Sequence, residues 1–163
     1  MFGFLTFGAT LTVADLALKN EIERQDDSGF PKAVKGTGGK ISLYKSHNHG
    51  FSFGVLKESR AVKMIPLCIT SSIAGAWVYL MTLRGKFAEK FALTLVLAGG
   101  LSNLLDRLVR GFVIDYISAD WKILKKMIFN LADVWIVLGS MILVLAQVVG
   151  GIKDLIKERR NPA

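Results

Sequence analysis

Residues 131–152 read LADVWIVLGSMILVLAQVVGGI, 22 residues in which Asp133 is the only charged side chain. A helix needs about 20 apolar residues to cross the hydrocarbon core of a bilayer, so this stretch is long enough to do so. Three further stretches are apolar in the same way: residues 2–18, 64–83 and 91–105. The sequence therefore predicts four transmembrane helices.

The third transmembrane helix must extend beyond the uncharged residues 91–105. Fifteen helical residues rise about 23 Å, which is less than a hydrocarbon core of about 30 Å. We therefore expect spans at about 2–18, 64–83, 88–107 and 131–152. A cleaved secretory signal is the alternative for the first stretch, but no Lys or Arg precedes Lys19, and Asp15 lies within the apolar segment.

Composition supports an integral membrane protein. The chain has 163 residues, 52% of them apolar, and a mean hydropathy of +0.42. The net charge of +8 is typical of basic residues that flank spans and meet anionic lipid headgroups, and we expect no nucleic-acid partner. The single cysteine, Cys68, excludes an internal disulfide and a cysteine-rich metal site.

Four spans place both termini on one side of the membrane, and the basic residues are informative about which side. Seven Lys and Arg fall within the 18 residues of segments 84–90 and 153–163, against fourteen within the 70 residues of segments 19–63 and 106–130. The larger total number of basic residues, in segments 19–63 and 106–130, favours that side as cytoplasmic. The higher density of basic residues, in segments 84–90 and 153–163, favours the opposite side. Basic residues in short segments close to spans have the strongest effect on orientation.

The polar segments between the spans predict a small sheet. Residues 40–45 read KISLYK, which alternates apolar and polar side chains as a strand does. Residues 113–117 and 121–128 are strand-like or interfacial. We therefore expect a membrane all-α bundle of four transmembrane helices in a single domain, residues 1–163, with a small β-rich element of about residues 20–63 on the membrane surface.

Two acidic residues frame the connection between the third and fourth spans. These spans run antiparallel, so Asp115 and Asp133, which bracket a 17-residue connection, come to the same face of the bilayer. Neither has a basic residue three or four positions away. Two close carboxyl groups in a low-dielectric site share one proton. One can take a proton from water while the other donates one to a carbonyl, which hydrolyses an amide bond without a metal or cofactor.

Structural roles are the alternative to catalysis for the aspartates of this chain. Ion pairs at i, i+4 on one helix explain two other aspartates: Asp106 with Arg110, and Asp15 with Lys19. Asp133 could add its charge to the first turn of the fourth span, with Asn130 as the N-cap.

Two other patterns indicate different chemistry. Ser42 and Lys45 fit the S-x-x-K motif of Ser/Lys acyl-enzymes, but that motif needs a helical turn and the local pattern predicts a strand. His47 and His49 have H-x-H spacing, yet no third metal ligand follows at a useful distance. Surface histidines are the simpler interpretation.

Four motifs resemble those of the bacterial lipoprotein signal peptidases, also called signal peptidase II, and they occur in that family's order. The matching residues are Asp15 and Lys19; Asn48, Gly50, Phe53 and Gly54; the stretch 99–117; and Phe129, Asn130, Ala132, Asp133 and Gly139. The chain departs from the family pattern at Leu16, Phe51, Ser52 and Ser102, and residues 21–39 match no motif.

The resemblance implies an intramembrane aspartic endopeptidase. It implies cleavage of diacylglyceryl-modified prolipoproteins on the N-terminal side of the lipidated cysteine, with Asp115 and Asp133 as the catalytic dyad. Substrate-binding residues would be Asn48, Gly99, Asn103, Arg107, Asn130 and Ala132; supporting residues would be Asp15, Lys19 and Asp106. No metal or cofactor is implied.

The resemblance also implies a place in the cell. The chain would be a multi-pass protein of the bacterial cytoplasmic (inner) membrane, with both termini cytoplasmic and the active site and β-rich element near the extracytoplasmic face. We expect membrane lipids and prolipoproteins as its partners, and a monomeric chain.

Two other functions are compatible with buried acids in a membrane. One is a small transporter or proton-relay subunit, and the other is a noncatalytic membrane scaffold. A relay needs acids spread through the depth of the bilayer, whereas Asp15, Asp106, Asp115 and Asp133 all fall near one predicted face. This distribution favours chemistry on a molecule presented from that side.

Overall fold

The structure, a computed structural model, describes residues 2–50, 60–121 and 127–160. Four long helices dominate these ranges: α1 (Phe2–Arg24), α2 (Ala61–Thr82), α3 (Phe87–Val109) and α4 (Leu131–Arg160). Each is long and apolar enough to cross a membrane. The predicted bundle of four apolar helices with a small β element is therefore confirmed.

Helix α3 lies at the centre of the bundle and contacts α1, α2 and α4. Its buried positions recur every three or four residues, which keeps them on one continuous face: Ala92, Leu95, Ala98, Gly99, Ser102, Asn103 and Asp106. The outer helices leave large apolar side chains exposed, among them Val13, Val78 and Val144. Such side chains suit contact with lipid, which explains why the bundle needs little interior of its own.

The strands form one antiparallel sheet in the order β1 (Lys32–Ala33), β2 (Ile41–Asn48), β3 (Val113–Ala119) and β4 (Ile128–Phe129). The alternating stretch 40–45 lies in β2, and residues 113–117 lie in β3, as predicted. Within the stretch 121–128, Ile128 begins β4, and residues 122–126 lie outside the described ranges.

The bounds of the β-rich segment differ from the predicted 20–63. Residues 20–24 continue α1, and residues 61–63 begin α2. The extension of α1 to Arg24 is stabilised by packing, because Ile22 contacts Ile114 and Tyr116 in a small core. This core joins the end of α1 to the sheet, and it holds β3 close to the first turn of α4.

Candidate active site

Asp115 and Asp133 come together at the junction of the sheet and the bundle. Asp115 lies in β3 and is 7% exposed, and Asp133 lies in the first turn of α4. Both line one cavity of about 540 Å³, together with Asn48, Asn103 and Arg107. The structure thus places two carboxyl groups from separate elements at one open space.

The start of α4 explains the position of Asp133. The side chain of Asn130 accepts a hydrogen bond from the Asp133 backbone N–H at 3.0 Å, and the Asp133 carboxylate accepts one from the Asn130 backbone N–H at 3.1 Å. This reciprocal pair is a capping box. The capping role considered for Asp133 is therefore real, and it engages only Oδ2 of the carboxylate.

Three asparagine side chains hold the two carboxylates. Asn48 and Asn130 donate to the two oxygens of Asp115 at 3.1 and 2.8 Å. Asn103 donates to Asp133 Oδ1 at 2.9 Å. Amide N–H donors to a carboxylate favour its charged form, so these bonds compensate part of the cost of burial. The residues expected to bind substrate therefore also orient the acids.

Burial raises the pKa of the Asp115 carboxyl to about 6, and the neighbouring charge of Asp133 acts in the same direction. The hydrogen bonds from Asn48 and Asn130 oppose this rise. An ordinary aspartate has a pKa of about 3.9. Asp115 is consequently able to hold a proton near the pH at which many enzymes work, as a general acid requires.

Arg107 reaches across the site from α3. Its guanidinium donates to the backbone oxygens of Gly50 and Asn103, each at 3.3 Å, and it lines the cavity. The neighbouring Asp106 pairs with Lys19 at 3.1 Å and with Arg110. Arg107 therefore anchors the segment after β2 and places positive charge beside the two carboxylates.

Gly99 and Ala132 lie behind the cavity at the contact of α3 with α4. A Cβ atom on Gly99 would lie 2.3 Å from the backbone oxygen of Ala132, and Ala132 has no exposed surface. Gly139 meets the backbone of Ala92 in the same way, at 2.5 Å. These small residues let the two helix backbones approach closely.

The residues expected to support the site form a buried charged cluster next to the two carboxylates. Lys19 contacts Asp15 at 2.8 Å and Asp106 at 3.1 Å, and none of the three is more than 1% exposed. Both predicted i, i+4 pairs are present, and Lys19 joins them into one cluster. Tyr116 adds a contact that the sequence did not indicate, because its hydroxyl donates to Asp15 at 2.9 Å and accepts from the Leu131 backbone at 3.3 Å.

The two other motifs have structural partners. Lys45 donates to the Gln25 backbone oxygen at 3.0 Å and pairs with Asp27 at 2.7 Å, so the S-x-x-K pattern forms no Ser–Lys couple. His47 contacts Glu23 at 2.8 Å. Within residues 2–50, 60–121 and 127–160, no group of three His, Cys, Asp or Glu side chains is placed to hold a metal ion.

The chain is similar to known proteins over most of its length. The family model described as "Signal peptidase (SPase) II" matches residues 7–149 of the chain. The chain belongs to the signal peptidase II family. The resemblance carried by its four motifs is therefore confirmed.

Curated relatives of this signal peptidase II family member include lipoprotein signal peptidases of several bacteria. The protein of Bartonella quintana is 35% identical over 74% of this chain and 71% of its own length. That of Mesorhizobium japonicum is 28% identical over 87% and 85%. The protein of Rickettsia conorii is 32% identical over 64% of the chain, which spans about half, 52%, of that relative.

Solved structures share the fold of this family member. A bacterial membrane enzyme determined by the in meso method superposes with a TM-score of 0.75 at 23% identity, covering 100% of this chain and 93% of the other. A second bacterial membrane enzyme gives 0.73 at 22% identity, over 90% and 93%. The arrangement of four helices and a small sheet is thus that of known membrane enzymes.

Proposed function

We propose that the chain is an intramembrane aspartic endopeptidase that removes the signal peptide from diacylglyceryl-modified prolipoproteins, cutting N-terminal to the lipidated cysteine. The observation that carries this proposal is the convergence of Asp115 and Asp133 on one cavity, each held by amide donors. Membership of the family supports the class of substrate. The pair of carboxyl groups supports the aspartic mechanism.

The pair performs hydrolysis as one unit with a single shared proton. The ionised carboxylate takes a proton from a water molecule, whose oxygen bonds to the scissile carbonyl carbon. The protonated carboxyl gives its proton to the carbonyl oxygen, which forms a tetrahedral intermediate. As the C–N bond breaks, the carboxyl that took a proton from water gives it to the leaving nitrogen. A hydroxyl group of the intermediate gives its proton to the other carboxylate as the carbonyl reforms, so the pair again holds one proton.

The surroundings of the dyad suit a peptide that carries acyl chains. Asn48 and Arg107 present amide and guanidinium groups to the cavity, which fits an extended backbone where water is scarce. An apolar groove of about 490 Å³ adjoins this cavity and shares four lining residues with it: Met127, Phe129, Asp133 and Val137. Its other lining residues are Ile41, Ile117, Ala119, Trp121, Val134 and Leu138. Acyl chains attached beside the scissile bond would find apolar surface there.

The same proposal assigns the orientation. Among the described residues, the buried or half-buried aspartates lie in the second half of α1, the last turn of α3, the first turn of α4 and strand β3: Asp15, Asp106, Asp133 and Asp115. These positions are close to one end of the bundle. We place this end near the extracytoplasmic face of the bacterial cytoplasmic membrane, with both termini cytoplasmic and a monomeric chain. The clustering also disfavours a proton relay, which needs acids at successive depths.

The decisive test uses purified protein in detergent or lipid with two precursors that differ only in the diacylglyceryl group on the cysteine. We expect release of the signal peptide from the lipidated precursor at least about tenfold faster than from the unlipidated one, because binding energy from the acyl chains contributes to the rate. Mass spectrometry of the products locates the cut. Equal cleavage of both precursors, or of neither, contradicts the proposal.

The pH dependence of cleavage offers a second test. Asn48→Ala removes a donor that favours the ionised form of Asp115, so the pKa of Asp115 rises further above 6. Because loss of the shared proton ends activity at high pH, the alkaline limb of the kcat/KM profile should move to higher pH by about 0.5–1 unit.

Ser42→Ala is the matched control for the Asn48 variant. Ser42 lies in the same strand, opposite Ser118 and Ala33, and away from both carboxylates. Its profile should coincide with that of the unaltered chain, which also tests the S-x-x-K alternative. A shift of the Asn48→Ala limb to lower pH would show that the hydrogen bond does not act on the ionised carboxylate.

A further inference from the structure

Lys19 has no exposed surface, and its ammonium group contacts four oxygen atoms. These are Asp15 Oδ2 at 2.8 Å, Asn103 Oδ1 at 2.8 Å, Asp106 Oδ2 at 3.1 Å and Ser102 Oγ at 3.2 Å. An ammonium group has only N–H donors and accepts nothing. Every atom that faces it must therefore be an acceptor.

This requirement decides which way the Asn103 amide points. With its oxygen towards Lys19, its NH₂ group faces Asp133 Oδ1 at 2.9 Å. The reversed amide would place NH₂ against an ammonium and an oxygen against a carboxylate, and both contacts are repulsive. Lys19 and Asp133 therefore select the same orientation of Asn103 from opposite ends.

Asn130 connects Asn103 to the second carboxylate, that of Asp115, through hydrogen bonds that it donates to both. Its NH₂ group donates to Asn103 Oδ1 at 3.2 Å and to Asp115 Oδ1 at 2.8 Å. Its oxygen faces the other way and accepts from the Asp133 backbone N–H at 3.0 Å. Since Asn103 turns its oxygen towards both Lys19 and Asn130, one buried cation sets the arrangement of donors around both acids.

We propose that Lys19 is a positioning residue that sets the direction of the hydrogen bonds reaching Asp115 and Asp133, acting through Asn103 and Asn130. Its ammonium group contacts Asp15, Ser102, Asn103 and Asp106, and it acts on the two carboxylates through the asparagines. The kinetic part of this inference rests on the proposed peptidase function. The structural part, the orientation of N–H donors towards the carboxyl pair, does not.

The charged cluster determines how the proposal is tested. Asp15 and Asp106 balance Lys19 and Arg110, so four buried or partly buried charges sum to zero. Removing Lys19 alone would leave an uncompensated buried carboxylate and would destabilise the fold. Asp15→Asn together with Lys19→Met keeps the net charge. The amide introduced at position 15 would still meet the hydroxyl groups that now hold the carboxylate, those of Ser102 and Tyr116.

The experiment is a double-mutant cycle on the Asp15→Asn background: Lys19→Met, Asn103→Leu and both together. Infrared difference spectroscopy follows the pH at which the carboxyl pair takes up its proton, and the band is assigned by its loss in Asp115→Asn and Asp133→Asn. Lys19→Met should move the midpoint to higher pH by at least about one unit when Asn103 is present. With Leu at position 103, the shift should be below about 0.3 unit.

The other charged or titratable groups near the pair are Arg107, whose charge interacts with both carboxylates, and Asp15 and Tyr116, which both interact with Asp133. The charge of Asp133 also acts on Asp115. All except Asp15 are unchanged throughout the cycle, and position 15 carries the same amide in every member. An equal shift in both backgrounds would mean that Lys19 acts by its charge through space, which overturns the proposal. So would the absence of any shift.

Kinetics provide the second readout. Asp15→Asn/Lys19→Met should lower kcat by about 10–100-fold relative to Asp15→Asn, since a misdirected group at the reacting centre costs this much, and KM should change less than about threefold. Thr12→Val is the control, because it removes another buried α1–α3 hydrogen bond, to Ala98 at 3.1 Å. It should alter thermal stability only. If none of these proteins cuts a lipidated precursor, the proposed peptidase function is contradicted. The infrared cycle still tests whether Lys19 acts on the carboxyl pair through Asn103.

Discussion

Asp115→Asn and Asp133→Asn should each lower cleavage of a lipidated precursor by at least about a thousandfold, the loss expected when one member of a catalytic unit is removed. The reason is that an amide neither takes a proton from water nor gives one to the carbonyl oxygen at neutral pH. Rates are measured by single-turnover release of the signal peptide. The losses should not add in the double variant, because either acid alone is inactive.

Folding has to be separated from catalysis in these two variants. Asn is close to Asp in size, and each substitution leaves at least one amide or backbone partner able to pair, so we expect both proteins to insert and to melt within a few degrees of the unaltered chain. Asp27→Asn is the matched control, since this carboxylate is 86% exposed and pairs with Lys45 at the surface. It should keep full activity. A fully active variant at position 115 or 133 would refute the dyad.

Gly99→Ala should destabilise the protein by about 1–3 kcal/mol, the cost typical of overpacking a close contact. The added Cβ would lie 2.3 Å from the Ala132 backbone oxygen and 2.8 Å from Ile136. Backbone cannot move aside as the end of a flexible side chain can, so α3 and α4 must separate. Equilibrium unfolding in mild detergent measures the change.

Gly75→Ala is the control for that result. Gly75 also lies within a helix, α2, but a Cβ there would meet nothing within 4 Å. This variant should be as stable as the unaltered chain or slightly more stable, because alanine favours the helix by up to about 1 kcal/mol. If Gly99→Ala is equally harmless and instead raises KM alone, Gly99 contacts substrate rather than Ala132.

Much of the fold follows from local sequence. Apolar stretches without charge determine where helices cross a bilayer, and alternation at residues 40–45 determines a strand, because each pattern reports burial of neighbouring positions. The extension of α1 to Arg24 could not be found in this way. Its last turns are polar, and they are helical because Ile22 packs on Ile114 and Tyr116, which lie more than 90 residues away.

For the candidate site, too, the sequence predicts one part of the arrangement, and the tertiary structure is needed for the rest. The sequence by itself determined that Asp115 and Asp133 lie at one face of the membrane, since two antiparallel spans and a short connection leave no other arrangement. Only the tertiary structure decided that Asn48, Asn103 and Asn130 donate to these acids, that Gly99 and Ala132 lie at the contact of α3 with α4, and that Lys19 faces Asn103. Hydrogen bonds depend on the direction of groups brought together from distant positions, and residue spacing carries no information about that direction.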